Sequence, residues 1–91
     1  HIHKGTIENA YTISNGEYEV IEAEIIETSE LINKEIKNSN LPDDIRIGAV
    51  LRDKKVIIPK SDFVFQKGDN VVFIAKNDSI PIVENIFRLS Q

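Results

Sequence analysis

The chain has 91 residues, 41% hydrophobic and 29% charged, a balance that suits one folded domain and not a disordered segment. It has no cysteine, which excludes disulfides, thiolate catalysis and thiolate metal sites, and no apolar run near the roughly 20 residues a membrane-crossing helix needs. A formal charge of −4 without any cluster of Lys and Arg is a poor match to a phosphate backbone, so nucleic acid is not expected as a partner.

In chain order, residues 6–13 read as a first strand, with Ile7, Tyr11 and Ile13 among its β-preferring side chains, and Ser14-Asn15-Gly16 supplies a turn. The return strand spans about 17–26, where Ile21, Ala23 and Ile25 alternate with Glu22 and Glu24 to give one buried and one wet face. Tyr18 and Val20 fall on the opposite phase, which predicts either a bulge near Val20-Ile21 or a second face covered by a partner. Thr28 and Ser29 are good N-caps, and Leu31, Ile32, Glu35 and Ile36 recur at helical spacing, so a short helix is expected over 30–37. Asn38-Ser39-Asn40 ends it, and Pro42 makes 38–44 a connection.

Residues 45–52 alternate as a strand, Asp53-Lys54 turns the chain, and 56–58 return as a strand that Pro59 ends. Residues 60–67 read as an irregular stretch packing Phe63 and Phe65 onto the core. Lys67-Gly68-Asp69-Asn70 is a turn signal, and the continuous apolar run 71–75 predicts a central strand buried on both faces. Asp78 or Ser79 caps a final helix, with Pro81 in its first turn and Val83, Ile86 and Phe87 as its inner stripe. The order is β-β-α-β-β-β-α, an α+β domain of two layers.

No catalytic or metal-binding set emerges from these residues. His1 and His3 lie at a terminus without fixed carboxylate company, as expected of a tag or solvated linker. Glu17, Glu19, Glu22, Glu24 and Glu27 line up along a strand as a solvated face and do not converge as a hard cation requires. Ser61-Asp62 with either histidine does not make a nucleophile system, because no third member or oxyanion donor can be named. Nothing at the N-terminus resembles a signal peptide. A chain this short buries only about two-thirds of its unfolded surface, so a partner covering an apolar face would stabilise it appreciably.

Several stretches then match one family pattern in order. They are the acidic strand Tyr18-Glu19-Val20-Ile21-Glu22-Ala23, a capped short helix, Leu41-Pro42, the strand Ile47-Gly48-Ala49-Val50-Leu51-Arg52-Asp53, the stretch Val56-Ile57-Ile58-Pro59, and Lys67-Gly68-Asp69-Asn70-Val71-Val72-Phe73-Ile74. Over nearly its whole length the chain resembles the TrkA-C (RCK_C) domains of potassium uptake proteins, most closely the C-terminal copy. His3-Lys4-Gly5-Thr6-Ile7 resembles the linker after the Rossmann half of such proteins. Residues 1–16 are thus read as linker and first strand after a missing Rossmann half, and 17–91 as the regulatory domain. With no methionine, the chain is also read as a piece of a longer protein.

The resemblance implies a non-enzymatic, cytoplasmic regulatory domain that forms a homodimer. It would sit at the inner face of the membrane through a potassium channel or transporter subunit and relay the ligand state of its neighbours. NAD(H) or ATP would belong to the missing Rossmann half, since no Gly-rich phosphate loop occurs here. Some relatives bind cyclic di-AMP between subunits near the loop that here is residues 40–46. The implied ligand-binding residues are Leu41, Pro42, Ile45 and Arg46, and the implied dimer interface is Ile32, Ile36, Leu41 and Ile45. Asp43 and Asp44 make that loop a poor setting for two phosphates, and the bland alternative has Leu41 and Ile45 packing the dimer while Arg46 pairs with Asp43 or Asp44. A further alternative is the same module on another ion transporter, without a potassium role.

Overall fold

The computed structural model describes residues 7–88. The two histidines, and the proposed linker apart from Ile7, lie outside the described residues. Five strands form one antiparallel sheet: β1 (Ile7–Ile13), β2 (Tyr18–Glu24), β3 (Ile45–Arg52), β4 (Lys55–Ile57) and β5 (Asn70–Lys76), in the order β1-β2-β5-β3-β4. One helix, α1 (Ile80–Phe87), follows β5 and packs back on the sheet.

Turn chemistry explains the two hairpins. Ser14, Asn15 and Gly16 all adopt positive φ between β1 and β2. Asp53 and Lys54 do so between β3 and β4, the pair of left-handed residues that matches the twist of a two-residue hairpin. Gly68, at φ +90°, lets its own N–H donate to the Ile25 carbonyl at 2.8 Å while the Asp69 carbonyl accepts from the Ile25 N–H at 2.7 Å. That reciprocal pair carries the β2 edge into the loop before β5.

The core lies on one face of the sheet. Ile21 and Ala23 of β2, Val71, Phe73 and Ala75 of β5, and Ile45 and Val50 of β3 meet Val83, Ile86 and Phe87 of α1, with Ile25, Leu31 and Phe65 closing the sides. The inner stripe of α1 is the one its spacing predicts, and Phe87 stacks on Phe73 at 4.9 Å between ring centroids.

Three expectations need correction. Residues 30–37 are not a helix: the chain makes turns, with Asn33 at φ 61°, and then a 3-10 turn over Ile36–Asn38. Its backbone bonds go sideways. Asn33, Ile36 and Lys37 N–H groups donate to the carbonyls of Phe65, Phe63 and Ser61, and the Phe65 N–H donates to the Lys34 carbonyl, all at 2.9–3.0 Å. Tertiary pairing overrides a weak helical propensity. The α+β class stands, with that helix replaced by an irregular ladder.

The bulge expected near Val20-Ile21 is absent from the β2–β5 register, which runs unbroken. Bulges lie instead between Ile7 and Asn9 and between Ile47 and Ala49, at Gly48. Finally, β5 is central, yet only its Val71, Phe73 and Ala75 side is buried; Ile74 on the other side is 42% exposed.

Because Phe87 is fully buried and stacked, Phe87→Ala should destabilise the domain by about 3–5 kcal/mol, seen as a lower urea midpoint. An unchanged midpoint would show that α1 is not part of the cooperative core.

Candidate functional site

The side ladder between residues 33–37 and 61–65 builds one wall of a groove of about 390 Å³. Ile36 and Lys37 line it from the 3-10 turn, Asn40, Leu41, Pro42 and Asp43 from the following loop, and Pro59, Lys60 and Ser61 from the segment after β4. Ile45, Arg46 and Ile47 of β3 complete it. Beta4 pairs only with Val50, Leu51 and Arg52, so the first half of β3 has no strand on this edge and the groove occupies that space. The loop holds its shape locally: Ser39 donates its hydroxyl to the Ile36 carbonyl at 2.6 Å, the Ile45 N–H donates to the Pro42 carbonyl at 3.0 Å, and Asn40 adopts φ 57°.

The structure thus brings Leu41, Pro42, Ile45 and Arg46 to one groove. Their roles differ from what order along the chain suggested. Ile45 is only 3% exposed and belongs to the core, leaving a partner little to touch. Arg46 stands opposite Ile74 and so points to the sheet face away from Ile45 and Ile47, reaching the groove only at its rim. Among the described residues it makes no ion pair with Asp43 or Asp44. Ile36 and Leu41 line the groove half-buried, whereas Ile32 packs against the core outside it.

Two cations that the sequence reading did not single out, Lys37 and Lys60, also line this groove. With Arg46 they set three cationic side chains against the Asp43 carboxylate. Lys37 Nζ lies 3.9 Å from Glu35 Oε2, an exposed pair that leaves the ammonium largely available to another anion. Their only signal in sequence was the ladder itself, which no local pattern announces. Among the described residues no group of three or more His, Asp or Glu is placed to hold a metal ion.

The wall is held from behind by Arg52. Its Nε and Nη2 donate to the two Asp69 carboxylate oxygens at 2.8 and 2.7 Å, and Nη2 also donates to the Val64 carbonyl at 2.9 Å. Asp69 accepts a further bond from the Gln66 N–H at 2.9 Å, and the guanidinium lies 4.7 Å from the Phe63 ring centroid. The hydrogen bond to Asp69, more than the nearby charges of Asp69 and Asp53, holds the guanidinium above the usual arginine value against the opposing effect of burial. A basic group so raised gives its full stability below the ordinary arginine pKa and loses it only as pH climbs past the raised value. On the arginine side the pair therefore survives any working pH.

The TrkA-C domain family matches residues 20–88, and the chain belongs to that family. It is 39% identical over 90 residues to the Trk system potassium uptake protein TrkA of Azorhizobium caulinodans, covering 99% of this chain and 20% of that protein. It is 32% identical over 94 residues to the protein of that name from Haemophilus influenzae, covering 99% and 20%. The Archaeoglobus fulgidus homolog is 32% identical over 83 residues, covering 91% and 19%. The chain spans about a fifth of the length of these curated relatives. Among the described residues no helix is long and apolar enough to cross a membrane.

Asp69 is 2% exposed, so Arg52→Ala strands a buried charge and should cost about 3–5 kcal/mol in chemical denaturation. Arg52→Lys should recover only part of the loss, because an ammonium cannot bridge both oxygens and the Val64 carbonyl.

Proposed function

We propose that this chain is a regulatory domain of a potassium uptake system, acting without catalysis by pairing with a second copy along the groove side and passing ligand state to a membrane transporter subunit. Family membership carries this reading, together with relatives that are themselves named as potassium uptake proteins. NAD(H) or ATP would act through a Rossmann half elsewhere in the longer protein, at the inner face of the membrane. Such a domain works by population: a ligand moves the assembly only as far as its affinities for two arrangements differ.

The groove favours a second reading alongside the first, in which it takes a small anion or cyclic dinucleotide, cyclic di-AMP included. The observation behind it is the cationic lining of Lys37, Lys60 and Arg46. Opposing charge close to a phosphate supports binding, and the lone Asp43 only partly offsets it.

Ile36→Asp, at the half-buried rim, should shift the chain from dimer towards monomer in sedimentation; an unchanged dimer would remove the groove side as the pairing face. Calorimetry with cyclic di-AMP and with inorganic phosphate tests the groove itself. Binding heat that falls about tenfold in affinity for the Lys37→Ala, Lys60→Ala double variant is expected, and absence of heat with both probes would overturn the anion reading.

A further inference from the structure

A second hollow lies on the sheet face away from α1, a cleft of about 190 Å³ lined by Asn9 and Tyr11 of β1, Val20 and Glu22 of β2, and Val72 of β5. Register puts these side chains together. Tyr11 stands opposite Val20, and Asn9 opposite Glu22, which also faces Val72 across the next ladder. Residues opposite in antiparallel register share a face, and Tyr11 lies diagonally from Glu22, within reach of an aromatic side chain.

The lining has a definite chemistry. Asn9 Nδ2 donates to Glu22 Oε1 at 3.0 Å, which orients the carboxylate and leaves Oε2 to accept from another donor. No Lys or Arg lines the cleft, and among the described residues no cation pairs with Glu22. Tyr11, 64% exposed, brings an aromatic ring to one side, while half-buried Val20 and Val72 supply apolar surface.

Elimination narrows the occupant. An anion would be repelled by Glu22, a hard metal ion needs several converging oxygens, and a neutral apolar ligand would strip water from the carboxylate without replacing it. A cation on an aliphatic stem meets all three elements at once. A guanidinium fits better than an ammonium, because its planar fork matches a carboxylate, stacks on an aromatic face and gives up water more readily. The cleft is smaller than the roughly 300 Å³ at which pockets for larger organic ligands begin, so the group is small.

We propose that this cleft binds an alkylguanidinium group, its head on Glu22 and Tyr11 and its stem against Val20 and Val72. The site lies apart from the groove and takes the opposite charge. Such a group comes either from an arginine on another protein or from a free guanidino compound, and the arms of the test separate the two.

The test is a titration of the isotope-labelled chain followed by amide shifts in nuclear magnetic resonance, with n-butylguanidinium, with the capped peptide acetyl-Gly-Arg-Gly-amide, and with n-pentanol as a neutral probe of similar shape. Saturable shifts at Tyr11, Val20, Glu22 and Val72 are expected with the guanidinium probes at a Kd of about 1–10 mM, and none with n-pentanol. Glu22→Gln, which keeps an acceptor for Asn9, should weaken binding by about tenfold. Tyr11→Leu should weaken it by about threefold while Tyr11→Phe binds as the original chain does, since the ring and not the hydroxyl acts. The Lys37→Ala, Lys60→Ala double variant should bind the guanidinium probes unchanged, so failure here and failure of the groove reading are seen separately. Tighter binding of the peptide than of n-butylguanidinium assigns the group to a protein arginine, and the reverse order to a free compound. No saturable shift with either guanidinium probe, equal shifts from n-pentanol, or undiminished binding by Glu22→Gln overturns the proposal.

Discussion

The Arg52–Asp69 pair sits where two long-range constraints meet. Arg52 ends β3 and Asp69 immediately precedes β5, so a bidentate bond between them fixes the junction of the strand pair at the centre of the sheet. The 16 residues between them leave the sheet, make β4 and return, and the same guanidinium bonds the Val64 carbonyl on the way. Since Asp69 is buried, its charge has to be matched there; removing the match costs far more than the pair contributes over an apolar substitute. The excursion is thereby held against the sheet, and only then can residues 61–65 offer a straight edge to residues 33–37.

That second ladder is what replaces a helix. Ser29 shows the competition at a single residue: it accepts from the Leu31 N–H at 3.2 Å, as an N-cap would, but its hydroxyl also donates to the Ile86 carbonyl at 2.9 Å. The loop is therefore tied to the C-terminal turn of α1 at one end and to Phe63 and Phe65 further on. Leu31 goes into the core from a turn and not from a helical stripe.

Much of the fold could be read in the sequence because it is local. Alternation in β2 and in the first half of β3, left-handed turn residues at 14–16 and 53–54, and the stripe of α1 each depend on neighbours a few residues away. Gly68-Asp69 could be recognised as a turn, and Arg52 as part of a strand ending, but their pairing across 17 positions has no local signature. The same limit hid Lys37 and Lys60, which meet only through the side ladder. The off-phase Tyr18 and Val20, and the unbroken apolar run of β5, put apolar side chains on the sheet face away from α1, where no bulge falls at Val20-Ile21 and Ile74 stays exposed. Gly48, where the bulge of β3 falls, was legible only as a glycine in a strand.

The bulge changes which side chains β3 shows on each face of the sheet. Before it, Ile45 and Ile47 face the core and groove while Arg46 faces the open sheet; after it, Val50 is on the core side and Leu51 on the open side. Arg46 therefore borders the groove while standing on the sheet face away from Ile45 and Ile47. The strand that borders the groove is thus also the one whose register shifts at Gly48, so its two halves present opposite phases to the core.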